Sequence, residues 1–122
     1  MSKTKSSGCL IFLALICATS ARADDAKDQF TKKVKPLLER KCFECHSSKA
    51  DELKGNLKLE SLDDILKGGN SGPAVKAGDV AGSLLLKAIR YQIEDVQMPP
   101  SGKLEDEEIQ LVEAWVKAMG KK

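Results

Sequence analysis

Apolar residues at Phe30, Val34, Leu37 and Leu38 recur at i, i+4, i+7 and i+8, which predicts an amphipathic helix within Asp24–Arg40. Pro36 falls inside this pattern without a backbone donor, so a kink or a late helix start is expected there. Ser61-Leu-Asp-Asp64 leading into Ile65-Leu-Lys67 predicts a short helix, with Ser61 as N-cap, Asp64 at the capping-box position and Gly68 as the stop. The segment Gly68-Gly-Asn-Ser-Gly-Pro73 reads as a loop. Ser83 is expected to cap a third helix over Leu84–Arg90, apolar nearly all round and therefore buried. Met98-Pro-Pro-Ser-Gly102 is extended or turn-like, since each proline restrains the residue before it. A last helix places Ile109, Val112, Val116 and Met119 on one stripe, widened by Leu111 and Trp115. The acidic run Glu105–Glu108 complements its N-terminal dipole and Gly120 ends it. Asn56–Glu60 alternates like a strand, yet no second strand is available to pair with it. The pattern predicts an all-α fold with long loops and no repeats.

The amino terminus follows a different rule. Lys3 and Lys5 precede the nine-residue apolar run Cys9–Cys17, and small residues lead to Ala21-Arg22-Ala23. That is the layout of a secretory signal peptide over residues 1–23. Nine apolar residues fall well short of the roughly 20 that a membrane-spanning helix needs, so no stable span is expected. Lipid attachment at Cys17 fits less well, because Leu15 and Ile16 before it are bulky. Cleavage after Ala23 removes Lys3, Lys5 and Arg22 and leaves a single domain, residues 24–122, with 17 basic and 18 acidic residues. An exported, periplasmic protein follows, and its balanced charge excludes the basic footprint of a nucleic-acid binder. Only Phe30, Phe43, Tyr91 and Trp115 remain as aromatic residues, a thin core for a domain of this size.

The chemistry lies at Cys42-Phe43-Glu44-Cys45-His46, a C-x-x-C-H motif. On a helical turn, thiols three residues apart lie on one side. There they can add to two vinyl groups on one edge of a porphyrin, forming haem c, while the adjacent imidazole binds the iron. A plain disulfide or a thiol–disulfide redox centre is a second reading of the same cysteines. Zinc would need a fourth ligand, and the exported chain holds no further Cys or His. The single histidine also excludes bis-histidine ligation and an H-E-x-x-H metalloprotease. If haem is bound, the second axial ligand falls to a methionine, Met98 or Met119. Met119 lies on the apolar stripe of the last helix and reads as core, whereas Pro99-Pro100 stiffen the chain behind Met98. An ordinary exposed loop methionine is the alternative reading of Met98.

With these residues in view, C-F-E-C-H, Met98-Pro-Pro and the closing E-D-E-E-I-x-x-V-x-x-W-V look like a small class I cytochrome c. Lys54–Ser61, Leu66–Ala74 and Gly82–Arg90 resemble more specifically the planctomycete-type cytochrome c domain, from about Phe30 to Gly120. The resemblance implies one covalent haem c beside crossing N- and C-terminal helices, attached through Cys42 and Cys45, with iron held by His46 and Met98. It also implies that the Pro73 carbonyl of Gly72-Pro73-Ala74 accepts a hydrogen bond from His46. The expected activity is one-electron transfer rather than enzyme catalysis, with transient redox proteins as partners and a monomeric state. A haem-based gas binder with a labile Met98 bond is the alternative. Arg90 and Lys54 are candidate partners for haem propionates or ordinary surface charges, and Trp115 is expected to anchor helix packing.

Overall fold

The computed structural model of the protein describes residues 23–121, so the segment expected to be a signal peptide lies outside the described residues except for Ala23. The first amphipathic stripe forms as expected, with Phe30, Val34, Leu37 and Leu38 all buried. It is not one regular helix, however. Helix α1 (Ala23–Gln29) passes through a π-helical turn at Phe30–Val34 into α2 (Lys35–Lys41). Pro36 accounts for the position of this break, because it has no N–H to donate and stands in the first turn of α2, where a missing donor costs least. The wider turn is closed by the Lys35 N–H donating to the Phe30 carbonyl.

Helix α3 (Leu62–Lys67) is capped as the sequence predicts, with the Ser61 hydroxyl accepting from the Asp64 N–H at 3.1 Å. Gly68 ends it at φ +75, where a Cβ would lie 1.9 Å from the Gly72 carbonyl oxygen, so only glycine fits. Helix α4 (Leu84–Ile89) buries Leu85, Leu86, Ala88 and Ile89. Ser83 occupies its N-cap position but does not cap it. Its buried hydroxyl instead accepts from the Lys76 N–H at 3.0 Å and donates to the Asp79 carbonyl at 2.7 Å. The Ser83 hydroxyl is buried, and the backbone of the turn before α4 supplies its partners.

Helix α5 (Asp106–Met119) is the structural hub, packing against α1, the π-helical turn and α4. Its start is fixed by the Glu108 carboxylate accepting from the Glu105 N–H at 3.0 Å. Trp115 is fully buried and stacks on Phe30 with ring centroids 5.4 Å apart, which fits the expected anchor. Near the other end, the Gly78 N–H donates to the Val116 carbonyl at 2.9 Å, drawing the two backbones together. A Cβ on Gly78 would come within 2.8 Å of the Gly120 Cα.

No strand forms among the described residues, and Asn56–Glu60 is no exception. A 3₁₀ turn at Lys54–Asn56 leads into an extended stretch that places Leu57 and Leu59 against the core. Its partner is the C-x-x-C-H loop: the Leu59 N–H donates to the His46 carbonyl at 2.9 Å. The alternation was real, but a loop takes the place of a second strand. No described helix is long and apolar enough to cross a membrane.

Arg90 ties α4 to α5. Its guanidinium meets the Glu113 carboxylate at 2.7 Å, and Lys117 shares that carboxylate at 3.3 Å. The hydrogen bond from Lys117, joined by the Arg90 charge, holds Glu113 below the ordinary carboxylate range. A carboxylate lowered in the folded state adds stability above its unfolded pKa and loses it as pH falls through the lowered value. Acid is therefore expected to weaken the α4–α5 tie as pH drops below about 4.3. Glu113→Gln should be less stable at neutral pH and lose less on acidification. Urea midpoints at pH 7 and pH 3.5 test this, and equal acid losses in the two proteins would refute it.

Candidate functional site

Helix α2 runs directly into the motif. The Cys42 N–H donates to the Leu38 carbonyl at 2.7 Å, and the Cys42 carbonyl accepts from the N–H groups of Cys45 at 3.2 Å and His46 at 3.0 Å. One further turn thus gathers Cys42, Cys45 and His46. The turn is locked from outside, since the Ser47 hydroxyl donates to the Phe43 carbonyl at 2.6 Å and the Ser48 hydroxyl to Glu60 at 2.8 Å.

The two thiols are half-buried and unpaired. Burial, helped by the neighbouring Cys45, pushes the Cys42 thiol up to about 11. Dithiol redox motifs depend on the opposite shift, toward a stabilised thiolate. The environment of Cys42 therefore disfavours the thiol–disulfide reading. Among the described residues no three His, Cys, Asp or Glu side chains converge as a zinc site requires.

His46 Nδ1 lies 3.2 Å from the Leu57 carbonyl oxygen. A carbonyl can only accept, so this contact places the proton on Nδ1 and leaves the Nε2 lone pair free for a metal. The expected acceptor, the Pro73 carbonyl, does not hold this position. Pro73 is exposed, and its neighbours Gly72 and Ala74 line the adjacent cavity instead. The physical reason is the chain path. The extended segment returns to His46 through both Leu57 and Leu59, before the glycine loop is reached.

Cys42 and His46 open onto a cleft of about 160 Å³ between the motif and α4. Leu57, Leu59, Ala74, Leu85, Ala88 and Ile89 form its apolar walls, and Met98 lies on its border. An adjoining opening is bordered by Cys42, Cys45, His46, Met98 and Pro99. The lining is that of small-molecule and cofactor sites, mostly apolar with a few placed polar groups. Two thiols, one imidazole with a free nitrogen and one thioether around an apolar slot fit a covalently held iron porphyrin.

Met119 is not part of this arrangement. It packs half-buried against the core and borders a separate shallow groove with Trp115 and Leu66. Of the two cations considered for carboxylate partners, Arg90 is engaged by Glu113, whereas Lys54 lines the cleft and pairs with Glu52 at 2.7 Å. The Leu57 carbonyl is the functional group that residue types could not identify. Its only trace in the sequence is the alternation at Asn56–Glu60.

A family model described as planctomycete cytochrome C matches residues 42–102, half of the chain. The match spans the motif, the Leu57 segment, both walls of the cleft and the Met98 loop. No curated protein matches the chain, and no solved structure matches it. The C-x-x-C-H turn, its cleft and this family match together place the chain in the planctomycete cytochrome c family.

Proposed function

We propose that the protein is an exported monohaem c-type cytochrome that carries single electrons between redox partners, with His46 and Met98 as axial ligands. The observation that carries this reading is one apolar cleft bordered by both Cys42 and Met98 and by an imidazole whose Nδ1 is already committed to a carbonyl. Haem c bound there supplies one-electron chemistry at iron, cycling between Fe(III) and Fe(II).

The chain's own residues do the rest. Cys42 and Cys45 would hold the haem through thioether bonds. The Leu57 carbonyl holds the imidazole in one tautomer and orientation, which also raises its basicity as a ligand. Leu57, Leu59, Leu85 and Ile89 would shield a haem bound in the cleft from water, and the resulting low polarity would favour its less charged, reduced state. Pro99 and Pro100 restrict the backbone behind Met98, so less entropy is lost in holding a weak neutral ligand. Export rests on the signal-like segment at residues 1–23, and the partners are redox proteins met briefly through a small interface.

Optical spectra of the purified protein in both oxidation states, with a pyridine haemochrome assay, test the reading. One thioether-linked haem per chain and a weak red band in the oxidised spectrum are expected. A colourless protein with two titratable thiols would refute haem binding. Rapid carbon monoxide uptake by the reduced protein would instead favour a gas binder.

A further inference from the structure

The end of α4 carries a residue in a conformation its side chain disfavours. Tyr91 follows the helix at φ +57, in the left-handed region that bulky L-residues rarely enter. The backbone there closes the helix in the usual way. The Tyr91 N–H donates to the Ala88 carbonyl at 3.1 Å, and the Gln92 N–H to the Lys87 carbonyl at 2.9 Å. Glycine normally takes such a position because it meets no Cβ clash, so helix termination alone does not call for a tyrosine. Held strain of this kind marks places where the side chain has other work.

The contacts of the phenol identify that work. The Tyr91 hydroxyl donates to the carbonyl of Pro99, a buried residue, and the Gly102 N–H reaches the same carbonyl at 3.3 Å. On the other side, the Met98 N–H donates to the Ala88 carbonyl at 3.1 Å. The end of α4 therefore grips the Met98–Pro99 segment twice, in front of the thioether-bearing residue and behind it. Without these bonds, the segment rests on one turn contact and on two prolines that supply no donors of their own.

We propose that Tyr91 is a positioning residue for Met98, its left-handed backbone aiming the hydroxyl so that the Met98 loop is held against the cleft. The proposal rests on the reading of Met98 as axial ligand. It differs from a helix-end role in a testable way, because the hydroxyl and the backbone strain are separable. Tyr91→Phe keeps the strain and loses the hydroxyl bond to Pro99, whereas Tyr91→Gly loses both.

The experiment uses the haem-loaded protein and two readouts. Added imidazole competes with Met98, and the red band of the oxidised protein reports the displacement. Amide exchange at Met98 and Gly102 reports the loop directly. In Tyr91→Phe, half-displacement is expected at roughly five-fold lower imidazole and both amides should exchange several-fold faster, as loss of one net hydrogen bond implies. Tyr91→Gly should show the same loosening. A Tyr91→Phe protein matching the wild type in both readouts overturns the proposal, as does a Tyr91→Gly protein that regains wild-type behaviour. If the wild type lacks the red band, the ligand reading falls and takes the positioning role with it. The exchange data would then still separate that failure from an absent clamp.

Discussion

Replacing Cys42 and Cys45 together by alanine is expected to give a colourless chain that no longer unfolds cooperatively at room temperature. The inner wall of the cleft is part of the core: Leu59, Ala74, Leu85, Ala88 and Ile89 belong to both. With no ligand these side chains lose a packing surface, and either water enters or the walls collapse. Domains of this size hold a net stability of only about 5–15 kcal/mol, and losing the equivalent of two large core contacts, each worth about 2–5 kcal/mol, consumes most of it. Either single variant keeps one thioether and should stay coloured and folded, with a lower thermal midpoint. Circular dichroism melts and the haemochrome assay on all three variants check this. A double variant that is haem-free yet melts cooperatively at the wild-type midpoint would show that the core is complete without the cofactor.

The parts of this molecule that side-chain pattern controls were legible from the sequence. The stripe of α5, the Ser61 cap of α3 and the Cys42–His46 turn each follow from residue type at fixed spacing, and all three form. What escaped was decided by where the backbone goes. The acceptor for His46 is a carbonyl, and every residue has one, so only the path of the chain selects Leu57 over Pro73. Ser83 sits where a capping serine belongs, but backbone groups of the preceding turn take its buried hydroxyl. The break at Pro36 was foreseen, whereas its form as a π-helical turn depends on packing Phe30 and Val34 toward α5. Tyr91 was hidden for a similar reason. A tyrosine after a helix carries no signal until its φ and its hydroxyl partner are known.

Met98→Ala is expected to remove the red band of the oxidised protein, lower the reduction potential by on the order of 0.1 V or more within the roughly 0.8 V range that axial ligands command, and admit carbon monoxide to the reduced form. The fold should persist, because the loop keeps the bonds that do not involve the thioether: the residue 98 N–H to Ala88, and Pro99 to Tyr91. Met119→Ala supplies the control. That side chain is half-buried against Trp115 and the rest of the core, so its loss should cost about 2 kcal/mol of stability while leaving the band and the potential unchanged. The pair of variants separates ligation from packing, since each predicts a change in one property and constancy in the other. Spectral loss that followed Met119, with Met98→Ala retaining the band, would reverse the assignment. That outcome would require α5 to rotate its stripe out of the core, against the full burial of Val112, Trp115 and Val116 on the same helix. The burial of those three residues thus argues against Met119, and the cleft that Met98 borders with Cys42 and His46 places the proposed ligand on the proline-stiffened loop.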